Sequence, residues 1–220
     1  MSERALDIQE MRESIGVYIE ALSEGHRLHR KIRFLLDIRG LLIINKLEGD
    51  YVEFGVYRGE MTYAAATILA PRITRYIGLD TFAGLPEPRQ DDAEVFVFEK
   101  QGFMASPRAI AEKMMAGYPT ALIEGDFRDR AVRDQFEAEV SAISVLVLDC
   151  NWPSSVEAAM ALAAPHLQCG SIVFFDDYFV GTRRTNFNER ILRETGRRHG
   201  VRFVEFMTYP PCARAFIVEK

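Results

Sequence analysis

Acidic residues end almost every short apolar run after residue 50 of this 220-residue sequence. A purely structural sheet has no need of them, because clustered carboxylates repel one another unless a cation or a hydroxyl group offsets their charge. Their recurrence at the ends of the runs therefore predicts a binding edge for a cation and a polar ligand. The acids at these positions are Glu53, Asp80, Asp126, Asp149, Asp176 and Asp177.

The elements that must position these acids follow from the alternation of short apolar runs with amphipathic segments. Strand-like runs lie at 51–54, 76–80, 120–125, 143–149 and 171–176, and helical spacing lies at 60–70, 107–117, 129–140, 154–166 and about 184–199. Strands that alternate with helices predict a Rossmann-like α/β fold with a mostly parallel sheet and helices on both faces. In such a sheet, ligands bind outside the carboxyl ends of the strands.

Both ends of the chain extend this pattern. Two last runs, at 201–209 and 212–220, have only a short connection, which predicts an antiparallel C-terminal strand pair. Helical spacing at 5–23 and 27–47 precedes the alternation. We therefore expect an N-terminal helical cap over residues 1–48 and a catalytic domain over 49–220, together forming one structural unit. The connection 81–106 is the one oversized loop, and loops of this length are often functional.

The first strand-to-helix turn combines Glu53, Gly55 and Gly59. Glycines allow a tight turn and a close approach of backbone to ligand, and Glu53 can accept hydrogen bonds from an ammonium or a hydroxyl group. The GxxxG spacing departs from the GxGxxG of dinucleotide sites, and an ordinary turn is the alternative. Asp80, at the end of the second strand, is placed to bind both hydroxyls of a ribose. Together the two motifs favour a nucleoside site.

Three further strand ends carry residues that could contact a ligand or a metal ion. Gly125, Asp126 and Phe127 could offer an amide, a carboxylate and an aromatic face to a purine, or could form a simple capped turn. Asp149 ends the fourth strand, and the doubled Asp176 and Asp177 end the fifth. Oxygen ligands without His or Cys favour a hard cation such as Mg²⁺, although some of these acids could instead cap helices.

Composition narrows the class of protein. With 48% hydrophobic residues, 27% charged residues and a net charge of −5, the chain suits a folded domain and gives no support for general nucleic-acid binding. Basic stretches at 26–46 and 183–202 are expected to be solvated helix faces. No run is long enough to span a membrane, the N-terminus has no apolar signal core, and three cysteines form no CxxC pair. We therefore expect a cytoplasmic protein.

Five segments, read in order, resemble the macrocin-type sugar O-methyltransferases, a class I group that depends on S-adenosylmethionine. They are GDYVEFGVYRG, GLDTFAGLPEP, EGDF, LDCNW and FDDY, and the resemblance covers roughly residues 48–180. It implies transfer of a methyl group to a hydroxyl of a small polyhydroxylated acceptor such as a natural-product sugar. It also implies that the loop 81–106 closes over the site and that the chain forms a homo-oligomer.

The resemblance assigns roles to the strand-end residues. Glu53, Gly55 and Gly59 would hold the methionine and ribose side of S-adenosylmethionine, and Asp80 would hold the ribose hydroxyls. Gly125, Asp126 and Phe127 would lie near the adenine. The magnesium positions correspond to Asp149, Asp176 and Asp177.

One departure from the family concerns the fourth strand end, where the family usually has Asp-x-Asp and this chain has Asn151. A neutral amide cannot accept a proton at neutral pH, so Asp149 becomes the first candidate for the general base. Two alternatives remain open. One is a protein that binds S-adenosylmethionine without turnover or with altered chemistry, and the other, disfavoured by the GxxxG spacing, is an NAD-dependent dehydrogenase.

Overall fold

A computed structural model describes residues 28–89, 92, 100–180 and 187–220. The helix predicted over 5–23, the middle of the 81–106 connection and the first residues of the helix predicted at 184–199 lie outside this described part. Within it, each predicted strand and helix is present. The helices are α1 (His29–Ile44), α2 (Glu60–Leu69), α3 (Arg108–Met114), α4 (Arg130–Glu139), α5 (Pro153–Ala163) and α6 (Phe187–His199).

Seven strands form one mixed sheet, which confirms the predicted Rossmann-like architecture. They are β1 (Gly49–Phe54), β2 (Ile73–Asp80), β3 (Thr120–Glu124), β4 (Ile143–Leu148), β5 (Leu167–Phe175), β6 (Arg202–Tyr209) and β7 (Ala213–Glu219). Their order in the sheet is β3-β2-β1-β4-β5-β7-β6. Strands β1 to β5 pair in parallel, while β7 runs antiparallel to both β5 and β6, as the short last connection requires.

The sheet separates two layers of apolar packing. Strands β1 and β4 are buried at every residue, which is typical of central parallel strands covered by helices on both faces. One core contains side chains of α1 and α2, and the other contains side chains of α4, α5 and α6. Neighbouring residues of β1 divide between them, since Tyr51 belongs to the first core and Val52 to the second.

Helix α1 belongs to this fold through its apolar stripe. Phe34 on α1 stacks on Phe174 of β5, with ring centroids 4.4 Å apart, and meets Tyr209 of β6 edge to face at 5.8 Å. The part of the predicted N-terminal cap that is described therefore packs directly on the sheet.

The sheet order places the carboxyl ends of β1 and β4 side by side at its centre. The order in which successive strands are added to the sheet reverses there, because β2 and β3 lie on one side of β1 whereas β4 and β5 lie on the other. Such a reversal opens a crevice above the strand ends, and ligands of open α/β sheets bind in that crevice. Among the described residues, no helix has the length and apolar character that crossing a bilayer requires.

Candidate active site

A cavity of about 300 Å³ lies at the carboxyl ends of the parallel strands. Its volume is within the range of small-molecule sites. Most of the predicted site residues line it, namely Glu53, Gly55, Asp80, Asp126, Phe127, Asp149, Asp176 and Asp177. The two other predicted residues, Gly59 and Gly125, are not among the residues that line the cavity. The fold thus brings the strand-end acids to one place.

The three glycines have structural reasons for their identity. Gly55 has φ +96°, and a Cβ atom there would lie 2.1 Å from the carbonyl oxygen of Asp149. Gly59, with φ +80°, precedes α2, and a Cβ atom would lie 3.3 Å from Cα of Ala111. A Cβ atom on Gly125 would lie 2.5 Å from Val132. Each glycine allows a close packing of backbone that the turn requires.

Glu53 is a fully buried carboxylate beside the cavity. Its Oε2 accepts hydrogen bonds from the hydroxyl groups of Tyr51 and Thr62, both at 2.7 Å, whereas Oε1 has no partner within the described part of the chain. Burial raises the pKa of Glu53 to about 7, although the two hydroxyl groups and the Lys31 ammonium oppose the rise. A buried acceptor without a partner is costly, so this oxygen suits a ligand that donates a hydrogen bond, and an ammonium group above all.

Asp80 accepts hydrogen bonds from the backbone of two turns beside the cavity. Its Oδ2 accepts the backbone N–H of Tyr57 and its Oδ1 accepts the backbone N–H of Phe82, both at 2.7 Å. Both donors have positive φ, +55° and +54°, which is uncommon for residues other than glycine. Burial raises the pKa of Asp80, and these backbone hydrogen bonds oppose the rise. Asp80 therefore fixes the first strand-to-helix turn and the start of the 81–106 connection at the edge of the cavity.

Asp126 and Phe127 form the far wall of the cavity. Asp126 accepts hydrogen bonds from the guanidinium and backbone N–H of Arg128. Burial would raise the pKa of Asp126, but the bonds from Arg128 outweigh it and lower the pKa below its ordinary value. Phe127 is almost fully buried and meets Phe54 edge to face at 5.1 Å. It therefore contributes to the core as well as to the wall.

Asp149, Asp176 and Asp177 converge at the ends of β4 and β5. One oxygen of each lies within 4.8 Å of the others, which is the spacing of a cation site. Burial raises the pKa of Asp149, an effect that Lys31 partly offsets and Asp176 reinforces. Burial and the adjacent Asp176 likewise raise the pKa of Asp177 to about 6. These three carboxylates form the acidic cluster at the ends of β4 and β5.

Two cations from α1 enter the acidic cluster. The guanidinium of Arg30 donates from Nε and Nη2 to both oxygens of Asp176, each at 2.7 Å. The ammonium of Lys31 donates to Oδ2 of Asp149 and lies 3.4 Å from Oδ2 of Asp176. Burial alone would lower the pKa of Lys31, but the two carboxylates outweigh it and raise the pKa.

These contacts correct one expectation drawn from the sequence. The basic stretch 26–46 was expected to be a solvated helix face, and for Lys31 this is wrong, because its residue exposure is only 6%. The signal was available in the helical spacing. Lys31 lies on the same helical stripe as the buried residues Phe34, Leu35, Ile38 and Leu42, so α1 turns this lysine inward with its apolar face.

The arrangement decides how well a divalent cation would fit. The oxygen-only donor set suits Mg²⁺. However, Mg²⁺ binds carboxylate oxygens at about 2.0–2.1 Å, and the Lys31 ammonium already lies against the oxygen of Asp149 that such an ion would use. With Arg30 and Lys31 in place, two positive charges already face the three carboxylates. Mg²⁺ therefore does not fit the cluster as these residues stand.

Two residues near the acidic cluster, Asn151 and Trp152, follow Asp149 closely in the chain. Asn151 lines the cavity with φ +46°, a conformation that Asn and Asp adopt more readily than most residues. Trp152 is fully buried, and its indole N–H donates to the carbonyl of Pro86 at 3.2 Å. It packs in the core and holds the start of the 81–106 connection, and it is not among the residues that line the cavity.

Comparison with known proteins identifies a family to which this chain is similar. A family model described as a methyltransferase domain matches residues 52–178, which is more than half of the chain. No curated protein sequence matches it. Of the solved structures, the O-methyltransferase NovP matches with a TM-score of 0.71 at 17% identity, covering 87% of this chain and 81% of its own.

A second solved relative is CalS11. One structure, described as a calicheamicin methyltransferase, has a TM-score of 0.64 at 18% identity and covers 99% of this chain and 94% of its own. Another, described as the apo form of a TDP-rhamnose 3'-O-methyltransferase, has a TM-score of 0.57 at 18% identity, with coverage of 98% and 88%. At these identities the likeness establishes a shared fold.

Proposed function

The chain belongs to the methyltransferase domain family that its residues 52–178 match, and from this premise we propose that it is an S-adenosylmethionine-dependent O-methyltransferase. The observation that carries the proposal is the buried carboxylate of Glu53, whose Oε1 has no partner among the described residues and which lines a cavity of about 300 Å³. The methionine ammonium of the cofactor is a donor of the kind that this oxygen lacks.

The rest of the cofactor follows from the same cavity. Asp80, which ends β2 and lines the same cavity, is proposed to accept the two ribose hydroxyls. Asp126 and Phe127 form the wall where the adenine would lie. Gly55 lets the first turn pass close to the end of β4, and Gly59 and Gly125 shape the turns behind the wall. We thus assign these glycines a supporting role in cofactor binding.

The acceptor is proposed to be a hydroxyl group on a small polyhydroxylated molecule such as a sugar. Support comes from NovP, described as an O-methyltransferase, and from CalS11, described as acting on TDP-rhamnose. The acidic cluster supports it as well, because carboxylates and an ammonium group can hydrogen-bond several hydroxyls at once. The expected requirement for magnesium stays a prediction, which the contacts of Lys31 do not favour.

In the proposed reaction, the acceptor oxygen forms a bond to the methyl carbon as the bond from that carbon to sulfur breaks. The electron pair stays on sulfur, which gives S-adenosylhomocysteine, and the hydroxyl proton leaves to a base. Asp149 is proposed as this base because it lines the cavity at the acidic cluster. Holding oxygen, carbon and sulfur in line supplies much of the acceleration in such a transfer.

Two substitutions test the roles. Asp80→Ala should weaken S-adenosylmethionine binding at least about tenfold, since it removes the ribose acceptor and the support of two turns. Asp149→Asn should leave binding within about threefold but slow methyl transfer by about 10²–10⁴, the usual contribution of a general base. Calorimetry measures binding, and a coupled S-adenosylhomocysteine assay with TDP-rhamnose, free hexoses and catechol measures transfer.

Asp134→Ala, an exposed acid on α4, is the matched control and should change neither quantity. If Asp149→Asn abolished cofactor binding while Asp80→Ala abolished only transfer, the two roles would have been exchanged. Transfer to none of the hydroxylated acceptors, with turnover on an amine or thiol instead, would overturn the proposed oxygen acceptor.

A further inference from the structure

The ammonium group of Lys31 lies within the acidic cluster. Lys31 is almost fully buried, and its ammonium group contacts carboxylates from two neighbouring strand ends, Asp149 after β4 and Asp176 after β5. A lysine that served only solubility would stay in water, because burying an ammonium group costs free energy unless carboxylates compensate it. Its place between two acids therefore indicates that the cluster is built around this ammonium.

Arg30 fixes that arrangement. Its guanidinium forms two parallel hydrogen bonds with Asp176, the geometry that gives an arginine–carboxylate pair its directional specificity. Asp176 is thereby held in one orientation, with its Oδ2 shared between Arg30 and Lys31. Since Arg30 and Lys31 are adjacent in the first turn of α1, a single helix end delivers both cations.

We propose that the ammonium group of Lys31, held by Asp149 and Asp176, serves in this chain in place of a divalent metal ion and binds the acceptor hydroxyl directly. An ammonium group has three donors. The ammonium donates to Asp149 and pairs with Asp176 at 3.4 Å, and we assign its remaining hydrogen-bonding capacity to the oxygen of an acceptor in the cavity that Lys31 lines. The inference rests on the proposed function, because it concerns how the acceptor of that reaction is held.

The consequence for specificity differs from that of a metal site. A divalent ion with open coordination positions can chelate two neighbouring hydroxyls, whereas one N–H of an ammonium group binds a single oxygen. We therefore expect acceptors that lack a second, adjacent hydroxyl to remain substrates. The residues proposed above to bind the cofactor do not include a metal ion, so cofactor binding should not depend on one either.

The test measures metal binding by itself, with Mn²⁺ as the probe, by electron paramagnetic resonance of the full chain. The wild type should bind no Mn²⁺ up to about 1 mM, and neither MgCl₂ nor EDTA should shift its Tm. Lys31→Met exposes the carboxylates to solvent ions and should bind Mn²⁺ at least tenfold more tightly, with a Tm that rises on adding MgCl₂. The double variant Lys31→Met/Asp149→Asn should lose this gain.

Arg39→Met, which removes an exposed cation from the same helix, is the matched control and should behave as the wild type. Mn²⁺ binding by the wild type that Asp149→Asn abolishes would overturn the proposal, and so would a folded Lys31→Met chain that binds no Mn²⁺. If Lys31→Met does not fold, the wild-type titration alone decides. Calorimetry with S-adenosylmethionine on the same samples separates the two proposals, since absent cofactor binding would refute the proposed function and leave the metal result intact.

Discussion

At the scale of single residues, the site is a set of buried acids whose environments differ. Glu53 has two hydroxyl donors and one oxygen that no described residue contacts by a hydrogen bond, Asp80 has backbone donors, and Asp149 has an ammonium group. The same chemical group therefore has three different uses within one cavity. Each use depends on the donors that the fold supplies.

The raised pKa of Glu53 makes cofactor binding dependent on pH. In the free protein Glu53 is half protonated at about pH 7. The cofactor ammonium favours the carboxylate, so binding below that pH releases a proton. Affinity for S-adenosylmethionine should then rise with pH between about 5.5 and 7, by at most about tenfold per unit, below the range in which the cofactor amino group loses its own proton. Calorimetry across this range measures the slope.

Glu53→Gln is the variant that isolates this effect. It keeps the size of the side chain but cannot ionise, so its affinity should be weaker at pH 7 and flat over the same range. An unchanged slope in Glu53→Gln would show that another group titrates. The variant should also remove the loss of stability that the wild type shows as pH rises from about 4.5 through about 7, because burial disfavours the Glu53 carboxylate in the folded state.

The close packing at Gly55 predicts that a larger residue there lowers the free energy of unfolding. An alanine there would meet the carbonyl of Asp149 at 2.1 Å and would also adopt a positive φ. Gly117 has a similar φ, +91°, with no atom within 4 Å of the added Cβ. Gly117→Ala should therefore cost about 1–2 kcal/mol from the backbone conformation alone, and Gly55→Ala at least about 2 kcal/mol more. Urea unfolding of both variants measures the difference, and equal costs would contradict the steric argument.

The sequence predicted the acids of the site better than its cations. Strand ends such as Asp80 and Asp149 are found from the order of apolar runs, because the carboxyl ends of parallel strands meet at one edge. Lys31 was missed because a charged residue in a basic stretch is usually solvated. Its helical phase with the apolar residues of α1 was the signal, but only the packed structure shows what it meets.

At the scale of elements, α1 connects the core to the chemistry. Phe34 stacks on Phe174 of β5, and one turn earlier the same helix places Arg30 and Lys31 in the acidic cluster. Apolar packing on the sheet therefore sets the position of the cations. The sequence predicted a helix here and left open how it docks, since helical spacing alone does not identify the partner surface.

Phe34→Ala tests this coupling. The loss of a fully buried ring should destabilise the fold by about 3–5 kcal/mol. Leu36→Ala, on the exposed side of the same helix, should cost less than about 1 kcal/mol. Chemical denaturation measures both costs. If Phe34→Ala were as mild as Leu36→Ala, the helix would not be anchored through this ring.

The two described ends of the connection 81–106 are hydrogen-bonded to each other. The backbone N–H of Leu85 donates to Phe103 and that of Gly102 donates to Leu85, both at 2.9 Å. Phe103 and Met104 line the cavity. The length of this loop predicted a functional segment, and the family resemblance implied that it closes over the site; the described ends of the loop do reach the cavity.

At the scale of the whole molecule, the net charge of −5 is unevenly distributed. Acids concentrate at one edge of the sheet, and cations of α1 neutralise part of them inside the protein. The fold class, the order of elements and the antiparallel last pair were predictable, because periodicity and connection length determine them. The identity of the acceptor was not, since the cavity walls come from segments that are distant in sequence.

The central claim is that the cavity binds S-adenosylmethionine, and calorimetric titration of the full chain with this cofactor tests it most directly. We expect saturable binding at one site, weakened at least about tenfold by Asp80→Ala and unchanged by EDTA. A Kd of about 1 mM corresponds to a binding free energy of about −4 kcal/mol. The absence of any heat of binding at cofactor concentrations up to about 1 mM would therefore contradict the proposed cofactor site.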